Sequence, residues 1–292
     1  MKKLFITIAL SCAICIVYSQ EADTISPWKK GGIATLTFSQ VSFSKYWAAG
    51  GENSFSGGAM LNLFANYDKD NLSWANSVDL GYGLIRQGDI TKKSNDRIEL
   101  NSQFGRKATD KLFYSGMLNF RTQFAPGYNY PNDSVVISRG FAPAYITTSL
   151  GMEYKPSDKF NLFVSPVTGK FTIVNDYVLS AAGAFGVEPG EKFRAELGGF
   201  LKMLYKTPVV TNVDLLFRAD FFSNFLKNPQ NIDVNTEVLV SMKINEYLSA
   251  TINVLMMYDD DIKFVIDDTL PERKGPRMQF KEVFGLGFSY KF

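Results

Sequence analysis

Residues 283–292 read Val-Phe-Gly-Leu-Gly-Phe-Ser-Tyr-Lys-Phe. Phe284, Leu286, Phe288, Tyr290 and Phe292 are apolar at every second position, and Phe292 is the last residue. A repeat of two is that of a strand with one apolar face. Such a strand suits recognition by β-augmentation, in which alternate side chains fill pockets of a receptor. The pattern is expected of the signal by which outer-membrane assembly machinery recognises its clients. An ordinary edge strand would alternate in the same way, so the rest of the chain has to decide.

The same repeat recurs upstream. Leu72, Trp74, Val78, Leu80, Tyr82 and Leu84 oppose Ser73, Ala75, Ser77, Asp79, Gly81 and Gly83. Phe193, Ala195, Leu197, Leu201 and Met203 oppose Arg194, Glu196 and Lys202, and Val213 to Phe221 oppose Asp214, Arg218 and Asp220. Ile232 to Ile244 oppose Asp233, Glu237 and Lys243, and Leu112 to Phe124 oppose Asn119 and Arg121. These segments run about ten to fourteen residues, longer than the usual globular strand and long enough to cross a bilayer at a tilt. Unpaired strand edges are costly in hydrocarbon, so the strands are expected to close. The predicted fold is all-β, a transmembrane up-and-down antiparallel barrel of about 12 strands, closed by the strand ending in Phe292.

Connections supply a second line. Short gaps are expected at Asp68–Asn71, Gly105–Lys111, Lys155–Lys159, Lys206–Pro208 and Asn245–Tyr247. Long ones are expected at Ser44–Phe55, Gln87–Asn95, Ala125–Gly140, Asn175–Glu191, Ser223–Asn231 and Asp260–Met278. Tight periplasmic turns alternating with long extracellular loops are the habit of bacterial barrels. An even strand count then leaves both termini in the periplasm. Pro166 is expected at a bulge or rim. Phase is expected to shift after Phe38 within Gly31–Phe43, and a short helix is compatible with Val178–Ala184.

Residues 1–19 form a secretory signal by pattern: Lys2 and Lys3, an apolar run from Leu4 to Val17, then Val17 and Ser19 before the cut. Residues 20–30 are expected to be a short periplasmic segment and 31–292 the barrel. Both cysteines, Cys12 and Cys15, fall in the signal, and Ala9-Leu10-Ser11 is a poor lipidation sequence before Cys12. The chain contains no His. Histidine-dependent triads, thiol nucleophiles and His- or Cys-ligated metals are therefore excluded from the mature chain. Removing the signal takes two lysines and no acid, leaving 29 basic against 29 acidic residues, and nothing there points to nucleic acid.

Further stretches carry a resemblance. Phe38-Ser39-Gln40, residues 47–54 (Trp-Ala-Ala-Gly-Gly-Glu-Asn-Ser), residues 125–131 (Ala-Pro-Gly-Tyr-Asn-Tyr-Pro) and residues 165–171 (Ser-Pro-Val-Thr-Gly-Lys-Phe) are four of them. Residues 183–190 (Gly-Ala-Phe-Gly-Val-Glu-Pro-Gly) and 228–234 (Asn-Pro-Gln-Asn-Ile-Asp-Val) complete the set. Together they resemble an outer-membrane β-barrel family of the Bacteroidota, catalogued as a domain of unknown function. That resemblance implies fold and location across the mature chain and no activity.

Candidate chemistry is sparse. Gly169-Lys170 is not a phosphate loop, since Val164 and Phe171 stand where Gly and Ser or Thr are required. Asp259, Asp260 and Asp261, with Asp267 and Asp268, lack the spacing of a calcium loop, and a solvated loop is the plainer reading. Trp47, Glu52 and Asn53 are candidates for an outer-loop binding site, or else pack the rim. Asp79, Arg121, Arg194, Glu196, Lys202, Asp214, Arg218, Asp220, Asp233, Glu237 and Lys243 fall on the polar face, as does Asp259. They would either line a water-filled pore or pair and close it. The expected function is a small-solute channel, with a closed structural or assembly-linked barrel as the alternative. Expected partners are outer-membrane lipid, the assembly machinery and a small solute, with no cofactor and no enzymatic activity.

Overall fold

The computed structural model of the chain describes residues 26–42, 52–130, 132–266 and 273–292. The first four strands are β1 (Trp28–Val41), β2 (Ser54–Lys69), β3 (Leu72–Gln87) and β4 (Ile90–Lys107). Then come β5 (Leu112–Thr122), a hairpin of β6 (Gly127–Asn129) and β7 (Asn132–Ser138), β8 (Ala144–Ser157) and β9 (Phe160–Ile173). A short helix, α1 (Tyr177–Ala181), precedes β10 (Phe193–Val210), β11 (Val213–Asn224), β12 (Ile232–Lys243) and β13 (Leu248–Tyr258). The chain ends with the small strands β14 (Phe264–Val265) and β15 (Lys274–Gly275), then β16 (Gln279–Lys291).

Twelve of these strands form one closed antiparallel barrel, in the ring order β1-β16-β13-β12-β11-β10-β9-β8-β5-β4-β3-β2. The two small hairpins stand apart from it. Each barrel strand pairs with the one before it in the chain, and β16 returns to β1. The predicted closure by the final strand is therefore the observed one. Ile33 opposes Lys291, Leu36 opposes Phe288, and Gly32 and Phe292 exchange both backbone hydrogen bonds, at 2.9 and 3.1 Å.

The strands' apolar rows are left bare on the outside. Leu36, Leu100, Leu118, Leu150, Phe284 and Phe288 are all exposed, an arrangement stable only against lipid. No helix among the described residues is long and apolar enough to cross a membrane. At the short-turn end, Trp28 packs edge-on to Tyr67 at 5.3 Å and against Trp74 at 5.8 Å. Aromatics placed so form an interfacial belt.

Three expectations about connections and phase are corrected. No loop spans Gln87–Asn95; β3 and β4 are joined by a two-residue turn, Gly88-Asp89, with Gly88 at φ 56. Thr91 to Asp96 are polar on both faces, so they showed no alternation, yet they keep the ladder going beyond the apolar band, past a register shift at Gly83/Leu84. The turn expected at Lys206–Pro208 lies at Thr211-Asn212 instead, because β10 runs on to Val210 with a register shift that accommodates Pro208. Asn212 supplies the positive φ, 64°, that this turn requires. Finally, β1 begins at Trp28 rather than Gly31 and pairs with β2 without a shift, so phase holds through Phe38.

Pro166 does sit at a bulge, with β9 slipping register against both neighbours. On the long-loop side, α1 is capped by Asp176, whose carboxylate accepts from Leu179 N at 3.0 Å and pairs with Arg139 at 2.7 Å. Ala142, Val174, Leu179 and Val187 form a small buried core beneath it.

Candidate functional site: an ion-paired barrel interior

Alternation places one row of each strand inside the ring, and the ring brings distant rows together. β4 and β12 stand six places apart in a ring of twelve, on opposite walls. Arg97 on β4 nevertheless reaches Glu237 on β12, Nη1 to Oε1, at 3.7 Å. The same guanidinium grips Glu99 with Nε at 2.9 Å and Nη2 at 2.5 Å. Glu237 also accepts from Arg218 at 3.3 Å and from Asn253 at 2.8 Å. Glu99 accepts from Asn119 at 2.9 Å, which in turn donates to Asn101 at 2.7 Å. Arg97 is a strut between two carboxylates, and amides hold each carboxylate in place.

These groups are not packed solid. The Arg97 side chain remains 30% exposed and that of Arg218 24%, although both lie within the closed ring. Water therefore reaches them inside the barrel. Arg121 lies over the Tyr145 ring at 5.1 Å, and its register partner is Glu99. Asp79 accepts from Asn62. Asp220 stands in register with Lys202, and its Oδ1 is buried without a hydrogen-bond partner, as is Nε of Arg218.

A second cluster lies toward the long loops. Glu196, with its side chain only 3% exposed, accepts from Arg194 at 2.7 Å, lies 3.8 Å from Lys170 and accepts from Asn224 at 3.2 Å. Lys170 on β9 spans three ring places to Asp233 on β12, at 2.6 Å. Arg194 also bonds Asp261 in the loop after β13, and Asn231 donates to Asp260 at 2.6 Å. Burial pushes the Asp261 carboxyl up, but the hydrogen bond and charge of Arg194 outweigh it and hold the group below its ordinary value. Toward the short turns, buried Glu153 accepts from Ser115 at 3.2 Å and pairs with Lys155 at 3.0 Å.

Several of the residues expected on the polar face thus meet: Arg218 with Glu237, and Arg194 with Glu196 and, through Lys170, with Asp233. Asp214 and Lys243 do not join them; they stand in register with Ser241 and Ser249 near the short turns. Asp259 accepts from the Asp261 backbone at 2.9 Å, while Asp260 and Asp261 face separate partners. No metal-holding group of three acidic, His or Cys residues occurs among the described residues. Glu52 and Asn53 sit beside the Gly88 turn, whose N–H donates to Asn53 O at 3.1 Å; Trp47, Asp267 and Asp268 lie outside the described residues.

Sequence reasoning missed Arg97, Glu99 and Lys170. The first two were legible, since Ile98, Leu100 and Phe104 alternate with Arg97, Glu99, Asn101 and Gln103. Lys170 was not. The bulge at Pro166 moves the inward row of β9 from odd to even numbers, from Phe163 and Ser165 to Thr168 and Lys170.

Fold and interior together define a transmembrane β-barrel with a charge-lined lumen. A sequence family described as "Protein of unknown function (DUF3078)" matches residues 38–128. No curated protein matches the chain. Among solved structures it is similar to the COG4313 outer membrane channel from Pseudomonas putida F1, at 12% identity and TM-score 0.42, covering 94% of this chain and 100% of that one. It is similar also to the Pseudomonas putida toluene transporter TodX, at 10% identity and TM-score 0.32, covering 92% and 80%. A Pseudomonas aeruginosa FadL homologue matches at 10% and 0.30, covering 90% and 89%. Likeness at this level carries no argument about cargo.

Proposed function

We propose that the protein is an outer-membrane channel for small polar solutes, narrowed by the Arg97–Glu237 pair across its lumen. The observation that carries the reading is the exposure of Arg97 and Arg218 inside a closed ring. A barrel sealed for a structural role would bury such groups in matched pairs or replace them by apolar packing. Here the contact across the lumen is long, 3.7 Å, and joins an arginine 30% exposed to a glutamate 13% exposed, too loose a geometry to repay the burial of the two charges. A passing ion or solute can displace it.

In this reading the short turns face the periplasm and the long loops face outward, as in other bacterial barrels. β16 serves as the assembly signal, and the exposed apolar rows meet outer-membrane lipid. No catalytic role is proposed. The test is single-channel conductance of protein refolded without residues 1–19 in a planar bilayer. Discrete openings that scale with salt are expected; a folded, heat-modifiable sample that stays silent overturns the channel reading.

A further inference from the structure

The closing seam is zipped over only half its height. β1 and β16 are paired from Gly32/Phe292 to Thr37/Gly287, and no further toward the long loops. Beyond Thr37, residues Phe38 to Val41 pair with β2 alone. Above Gly287, residues Val283 to Leu286 of β16, which would face Phe38 to Val41, pair with β13 alone. Among the described residues, no other neighbouring barrel strands part in this way; β2 and β3, for example, stay in register from end to end. If the seam continued, Val41 would face Val283. Instead both remain exposed, at 45% and 44%.

Unpaired N–H and C=O groups in hydrocarbon cost several kcal/mol each and persist only where backbone lines a cavity or a wet opening. The parted half-seam is therefore an opening in the wall. Its outer lip is apolar, with Phe38, Phe280, Phe284 and Leu286 exposed toward the bilayer. Its inner lip is of small side chains, Thr37, Ser39 and Ser56 beside Val41 and Val283 in the inward rows. On the lumen side of β16, toward the long loops, stands Lys281, whose ammonium donates to the Ser94 carbonyl on β4 at 3.0 Å and forms no ion pair among the described residues. Beside the seam, on the bilayer side, runs an apolar groove of about 630 Å³. It crosses β16, β1, β2 and β3 over small Ala34 and Ala59, between Phe288 and Tyr82.

We propose that this parted half-seam is a lateral doorway. Through it a single-chain amphiphile with an anionic head passes between the lumen and the membrane leaflet at the long-loop end. The groove holds the apolar chain, and Lys281 receives the head. The proposal goes beyond axial conduction and stands or falls without it.

Two measurements test it on the full mature chain refolded in phospholipid vesicles. The first is the distance between nitroxide labels at Val41→Cys and Val283→Cys, in a chain whose own cysteines lie only in residues 1–19. A separation well beyond the roughly 5 Å of paired strand residues is expected, and a single short distance overturns the doorway. The second uses a long-chain fatty acid with a photoreactive group at its tail, its adducts mapped by mass spectrometry. Adducts on Ser39, Ser56 or Lys281 are expected, and they should vanish in Ser56→Trp while those on Phe284 and Leu286 stay. Lys281→Met should lose inner adducts with the acid but keep them with the matching alcohol. Adducts confined to Phe38, Phe284 and Leu286 in every variant overturn the proposal. A conductance result, positive or silent, leaves this readout intact, so failure of the channel reading is seen separately.

Discussion

Arg97 and Glu237 approach to 3.7 Å from strands six places apart in a ring of twelve, so a single arginine side chain ties one wall of the barrel to the other. The tie is asymmetric. On its own wall Arg97 is bound to Glu99 through two nitrogens, at 2.9 and 2.5 Å, whereas the contact across the lumen is long and single. When the lumen opens, Arg97 should stay with Glu99 and leave Glu237.

That asymmetry sets the first prediction. Glu237→Gln removes the charge that draws Arg97 across and leaves Glu99 paired. Single-channel conductance should rise, by about twofold, with a shift toward anions, because lumen charges set selectivity. Thermal stability should fall by about 1 to 3 kcal/mol, between an exposed and a buried pair, because Glu237 is mostly buried and also serves Arg218 and Asn253. Unchanged conductance and ion preference would remove the pair from the conduction path.

Glu196 behaves differently because its side chain is almost wholly buried. It serves Arg194, Lys170 and Asn224 together. Glu196→Gln leaves two cations facing each other with one carboxylate fewer. Breaking a buried pair from one side costs about 3 kcal/mol or more. The loss should appear as a lower urea midpoint in detergent. Lys170→Met made together with Glu196→Gln should recover part of it, and additive losses would show that the two groups do not interact.

The loop after β13 offers a pH test. Asp261 has its carboxyl held below the ordinary value by Arg194, so its latch contributes stability above that ordinary value and loses it as pH falls through the lowered one. Hydrogen exchange in residues 259–266 should therefore be flat from about pH 8 to about pH 5 once corrected for intrinsic rates. It should rise only in stronger acid. Asp261→Asn should show raised exchange across the whole range, and a transition near neutral pH in the native chain would contradict the assignment.

Barrel topology and strand count were legible because each lipid-crossing segment carries its own period of two, as from Leu72 to Leu84. What lay above the apolar band was not. Thr91 to Asp96 extend a strand with polar side chains on both faces, and nothing in their pattern separates strand from loop. The interior was legible only as a list. Phase places Arg218 and Glu237 on one face, but closure of the ring decides that Arg97 meets Glu237 across it. A bulge such as that at Pro166 reverses phase without announcing its position, which is why Lys170 stayed hidden.

The seam itself gives the last prediction. A Cβ on Gly287 would stand 2.0 Å from the Leu36 carbonyl oxygen, a backbone atom that cannot move without breaking the pairing of β1 with β16. A Cβ on Gly285 would meet only side-chain atoms, Thr251 Oγ1 at 3.0 Å and Thr37 Cγ2 at 3.2 Å, and these can turn aside. Gly287→Ala should therefore fail to close the barrel, whereas Gly285→Ala should close it with at most a small loss. The measurement is heat-modifiability on electrophoresis, in which a closed barrel migrates faster before boiling than after. If Gly287→Ala gives as much of the fast-migrating form as the native chain, the short zipped half of the seam is not what closes this barrel.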